Sequence, residues 1–192
     1  MATIYELLGV FFVSFGLNLV PFASPSNLFI AYNARLMVNS DPFTLGFLVA
    51  LGSALAKGIH YMISFFVGKH LSEKRRQRLG AEGLKIKRWA FLLLFVAAAT
   101  PVPDEPVVIP LGLMKYNPAK FFSAFFLGKL SITIVGAYLG IVSEGFLSST
   151  IGQGALVIIS IILTVVITII LLKIDLGKIA EKILKRKITL PQ

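Results

Sequence analysis

The 192-residue chain contains no cysteine. Disulfides and thiolate metal sites are therefore excluded, and cysteine usage says nothing about redox compartment. Histidine is nearly as scarce: His60 and His70 are the only two, so no metal centre is expected. Charge is thin as well. Asp, Glu, Lys and Arg make up 15% of the chain, against roughly a quarter in an average soluble domain. What fills the space is apolar: 56% of residues are hydrophobic and the mean hydropathy is +0.85. That balance reads as an integral membrane protein, and the length as one domain over residues 1–192.

Acid is the scarcer sign, with 9 Asp and Glu against 19 Lys and Arg, for a net charge of +10. The basic residues are not spread as a nucleic-acid footprint would require, and no nucleic-acid partner is expected. Eight lie between Lys69 and Arg88 and six between Lys173 and Lys187. Both clusters flank apolar segments, where basic residues set orientation and meet anionic lipid. The N-terminus has neither a basic n-region nor an A-x-A-like site, so a cleaved signal peptide is not expected.

Leu7 to Ala34 carries no charge for 28 residues. Asn18, Pro21, Ser24, Pro25, Ser26 and Asn27 interrupt its centre, and proline removes a backbone donor and clashes with the preceding turn. Two short helices around a break fit better than one straight span, although a kinked single span stays open. Pro42 then opens a long helix to Gly68, capped by Asp41 or Ser40. After the basic stretch 69–88, Trp89 to Pro103 is uncharged. The passage Thr100-Pro-Val-Pro-Asp-Glu-Pro-Val-Val-Ile-Pro110 holds four prolines, among them Pro101, Pro103 and Pro106, and two adjacent acids. It reads as a second break, followed by an apolar run to Met114 and by a helix from Ala119 to about Ser143. Ala155 to Leu172 is an apolar 18-mer, and residues 174–192 form a basic amphipathic tail suited to an anionic membrane surface.

The halves 4–68 and 89–143 share one order of events: apolar run, proline-rich break, apolar run, turn with proline, long helix. Pro42 precedes Gly52 by ten residues, as Pro118 precedes Gly128. Small residues at four-residue spacing (Gly46, Ala50, Ala54, Gly58; then Ala124 and Gly128, Gly136 and Gly140) suit close helix approach in lipid. The positive-inside rule puts the 69–88 loop and the C-terminus in the cytoplasm. The halves then come out inverted, with one broken hairpin entering from each side, the arrangement that points to a midplane transport site. The expected fold is an all-α, multi-pass cell-membrane protein. It has two inverted halves, each a re-entrant helical hairpin plus a transmembrane helix, then a further transmembrane helix (155–173) and an amphipathic C-terminal helix.

Pro25-Ser26-Asn27, the Gly52–Gly58 helix ending Tyr61…Gly68-Lys69, Pro101-Val-Pro-Asp-Glu-Pro106 with Gly112, and Phe121…Gly128-Lys129 together resemble the DedA family, also called the SNARE-associated or VTT-domain family. The likeness spans residues 15–143, and its second break looks closest to the YqaA-like branch. It implies facing re-entrant hairpins that move lipids, phospholipid or polyprenyl-phosphate, across the bilayer, in some members linked to the proton gradient. The sequence departs from the family pattern twice. Asn27 stands where the first break usually carries glutamate. The second break has Asp104 and Glu105 where arginines are usual, so the family's Glu/Arg pairing does not carry over residue by residue.

An ionisable residue inside a membrane is costly and marks function by default. Asp104, Glu105, Lys57 and Lys129 are accordingly the candidate transport and proton-coupling residues. Ser24, Ser26, Asn27, Arg35 and Tyr61 are candidates for meeting a lipid headgroup. Each has a plainer role as well: Lys129 a structural ion pair, the serines and Asn27 partners for backbone freed by the break, Arg35 an interface anchor. Trp89 and Tyr116 read as interfacial anchors, and His60 as a packed or interfacial histidine. Lipid transport is the leading function, with membrane lipids as partners, no cofactor beyond a coupling proton or sodium ion, and homo-oligomerisation left open. An ion-coupled carrier of small cations or drugs and a membrane scaffold are the alternatives. No enzyme is expected, because the acids are adjacent rather than on facing helices and no Ser/His pair accompanies them.

Overall fold

The computed structural model describes residues 2–21, 24–68, 89–101 and 103–151, together with 155, 158, 159, 161–166 and 169. Every regular element among them is helical: α1 (Ile4–Leu19), α2 (Asn27–Met37), α3 (Pro42–Val67), α4 (Trp89–Ala98), α5 (Glu105–Leu113) and α6 (Pro118–Ile151). The basic stretch 69–88 and the tail 174–192 lie outside the described residues.

Local chemistry sets the helix starts. Thr3 and Glu6 form a capping box on α1, the Glu6 carboxylate accepting from the Thr3 backbone at 2.7 Å. The two long helices begin alike, with a short polar cap followed by proline, whose missing donor is harmless in a first turn. Asp41 accepts from the Thr44 N–H at 2.9 Å ahead of Pro42, and Asn117 accepts from the Lys120 N–H at 3.0 Å ahead of Pro118. Both proline-rich breaks interrupt helix. α1 stops at Leu19 and α2 starts at Asn27, while α4 stops at Ala98 and α5 starts at Glu105. Asn27 and Glu105 thus occupy equivalent places, each opening the second helix two residues after a proline.

α3 and α6 cross at the centre, and both are long and apolar enough to span a membrane. The short helices are dealt out between them. α1 packs on α3 and α2 on α6, while α1 and α2 touch each other little. α5 packs on α3, and α4 lies against α6. Gly52 and Gly128 make two of these seams possible. A Cβ on Gly52 would sit 2.7 Å from the Phe11 carbonyl oxygen of α1, and one on Gly128 2.7 Å from the Ala98 Cβ of α4. The small-residue rows are therefore used, with one exception: Gly58 meets nothing within 4 Å.

Polarity is distributed opposite to that of a water-soluble domain. Lys57, Lys129, Asp104, Glu105, Asn18 and Asn27 are buried, while Phe12, Ile63 and Val135 are 62%, 57% and 52% exposed. Soluble monomers rarely present such continuous apolar surface. Four charged side chains are thus inside.

Two expectations need correction. α6 does not stop near Ser143 but continues to Ile151. A lone glycine at 145 does not end a helix, and Glu144 is held by an ion pair to Arg35 on α2. Tyr116 is not an interfacial anchor: it is 6% exposed in the cluster formed with Tyr61, Leu94, Phe121 and Phe125. Trp89 is exposed, as an anchor would be.

Gly52→Ala should lower stability by about 1–3 kcal/mol, the usual cost of overpacking a tight contact, whereas Gly58→Ala should cost nothing. Melting temperatures of the purified variants in detergent would show the difference, and equal effects would contradict the packing described.

Candidate functional site

The second break places its two acids at the start of α5, Asp104 as the residue before the helix and Glu105 as its first. α3 and α6 bring one lysine each. Lys57 Nζ lies on the Glu105 carboxylate, 3.6 Å from Asp104 and 3.2 Å from the Ser24 hydroxyl of the first break. Lys129 Nζ lies 2.6 Å from the other oxygen of Asp104 and 5.2 Å over the Phe125 ring. An ammonium has three N–H donors, and Lys57 has three oxygens around it. The four side chains are each no more than 5% exposed. Fully ionised, they sum to zero charge.

The first break is built on the same plan without charge. Asn18 and Asn27 exchange amide hydrogen bonds of 2.9 and 3.1 Å, and the Ser53 hydroxyl donates to Asn18 at 3.1 Å. Ser53 precedes Lys57 by one helical turn, so one face of α3 serves both breaks. Its upper residue meets the amides, and its lower residue meets the acids and Ser24. Ser14, one turn before Asn18, donates to the Val49 carbonyl of α3 at 2.7 Å and anchors that face.

Asp104, Glu105, Lys57, Lys129 and Ser24 are thus brought together, with Asn27 in the adjoining amide pair. The Ser26 hydroxyl, one residue before Asn27, is buried with no hydrogen-bond partner. Two candidates lie elsewhere. Arg35 is bonded at 3.2 Å to Glu144, where α2 meets α6. Tyr61 is 1% exposed, its ring stacked on Phe121 at 4.1 Å and its hydroxyl donating to the Tyr116 carbonyl. His60 Nε2 is 2.9 Å from the Leu19 carbonyl. A carbonyl only accepts, so Nε2 carries the proton and the imidazole caps the last turn of α1. Ser53 was missed from sequence; its place four residues before the lysine of an apolar helix was the signal, since such residues share a helix face. Among the described residues no group of three or more His, Asp or Glu could hold a metal ion.

The family model for the VTT domain matches residues 24–142, more than half of the chain. The chain belongs to the VTT-domain family. No curated protein and no solved structure matches it. In this VTT-domain protein the matched region begins at Ser24 and so takes in all four charged residues, α2 through α5 and most of α6.

Removing one member of a buried ion pair strands the other, at about 3–5 kcal/mol. Lys57→Met should show that loss in thermal unfolding. Lys57→Met combined with Glu105→Gln should recover most of it, because Lys129 and Asp104 remain a balanced pair. An equally deep loss in the double variant would rule out the pairing.

Proposed function

We propose that the protein is a multi-pass membrane lipid transporter, a flippase or scramblase of phospholipid or polyprenyl-phosphate-type lipids. The observation that carries this reading is the charge-balanced group Lys57–Glu105–Asp104–Lys129, buried where two helix breaks meet inside a chain with an apolar exterior. Irregular backbone at membrane depth is tolerated only when buried in protein or lining a polar path, and Asn27, Asp104 and Glu105 of the two breaks are buried. On this reading α1–α2 and α4–α5 are re-entrant hairpins in two inverted halves. A headgroup passing the breaks exchanges places with a partner of its own sign: a phosphate replaces a carboxylate on Lys57 or Lys129, and an ammonium replaces a lysine on Asp104 or Glu105. A headgroup carrying both charges leaves none stranded. Protonation of an acid is the natural coupling event, because it frees a lysine without moving it. The 69–88 loop and the basic tail then lie on the cytoplasmic, anionic lipid surface.

A cation carrier is less well supported. Such a site needs surplus negative charge, and here each carboxylate already faces a lysine.

The test is leaflet exchange of fluorescent phospholipids in vesicles containing the purified protein. Exchange should exceed that of empty vesicles and should vanish in the charge-balanced Lys57→Met/Glu105→Gln variant. If no headgroup exchanges faster than in empty vesicles, lipid transport is excluded; proton-driven uptake of a cationic solute without lipid movement would favour the carrier. Orientation has its own check, made clean by the absence of cysteine. A cysteine introduced at Ser72 should react with impermeant maleimide only from the cytoplasmic side, and one at Ser40 only from outside.

A further inference from the structure

α1 and α2 are joined through the first break yet are held on different long helices, which leaves a gap between them. A cleft of about 450 Å³ occupies it, lined along α1 from Glu6 to Leu17 and along α2 from Pro25 to Val38, with Ile161, Thr164 and Val165 as the third wall. Its lining is almost wholly apolar. Of its polar side chains, Asn33 donates to the Phe29 carbonyl at 2.8 Å and to Thr164 at 3.3 Å, and Glu6 is held by Thr3 at one end. The other end is different. The lining stops at Leu17 and Pro25, and the next residues along the two arms, Asn18 and Ser24, belong to the polar network around Lys57.

We infer that this cleft is a binding slot for one acyl chain of a membrane lipid whose headgroup rests at the first break. The inference rests on the lipid-transport reading and adds where a tail goes. Size selects the occupant. The twelve residues of α1 from Glu6 to Leu17 span about 16 Å, which gives the cleft a mean cross-section of about 28 Å². Such a long, narrow space suits a single extended hydrocarbon chain better than a helix about 10 Å across. Chemistry agrees, because an apolar slot ending at hydroxyl, amide and ammonium groups matches an amphiphile read from tail to head. Within a bilayer, a tail moving from lipid into the slot exchanges one apolar surface for another. Occupancy is therefore transient, as passage requires.

The probe is a phospholipid with a diazirine at the end of one acyl chain, photolysed in vesicles containing the intact protein, with adducts mapped by mass spectrometry. Val10 and Ile30 line the cleft but are each only 8% exposed, so bulk lipid does not reach them; Phe12 on α1 faces outward at 62%. Adducts at Val10 and Ile30 are expected, and adducts confined to outward residues such as Phe12 would overturn the slot. Gly9 lines the cleft with nothing within 4 Å of where its Cβ would be, so Gly9→Phe fills the space without moving backbone. That variant should lose labelling at Val10 and Ile30, keep it at Phe12, and exchange lipid about tenfold more slowly; Gly145→Phe, equally uncrowded, should change neither. Unaltered labelling and exchange in a folded Gly9→Phe protein would refute the slot and leave lipid transport standing. Labelling at Val10 and Ile30 in a protein that exchanges no lipid would keep the slot and remove the transport reading.

Discussion

The neutralisation of Lys57 organises the centre of the molecule. A lone ammonium buried at this depth would not persist as a charge, because the loss of hydration outweighs any single contact. Three oxygens surround it, two from the second break and one from the first. To supply them, both proline-rich segments must reach the same level of α3. That requirement fixes where each short helix ends, and it draws Lys129 in to balance the remaining acid.

Much of this was legible in the sequence, for particular reasons. Proline marked both breaks, since Pro21, Pro25, Pro101 and Pro103 each remove backbone options that a helix needs. Asp41-Pro42 and Asn117-Pro118 announced the long helices through cap chemistry. The four charged residues stood out because almost nothing else in the apolar runs is charged. What stayed hidden was partnership. Nothing in local patterning says that Arg35 finds Glu144, or that Tyr61 spends its hydroxyl on a backbone carbonyl 55 residues away. The length of α6 was also misjudged: the helix runs on to Ile151, past Ser143.

The two breaks show one architecture with two chemistries. Asn27 and Glu105 hold the same position, and Ser53 and Lys129 each lie eleven residues after the proline that opens their long helix. A neutral amide–hydroxyl set on one side therefore faces a carboxylate–ammonium set on the other. Amides satisfy each other at little electrostatic cost, whereas the ionic set must keep its sum at zero to remain buried. Lys57 and its Ser24 contact join the two, so the neutral break is tied to the charged one by a single side chain.

The way the short helices are shared out has a mechanical consequence. α1 and α5 ride on α3, while α2 and α4 ride on α6. Each helix pair therefore has one foot on each long helix, like two hinges mounted across the same door seam. A displacement of α3 against α6 would therefore bear on both pairs at once.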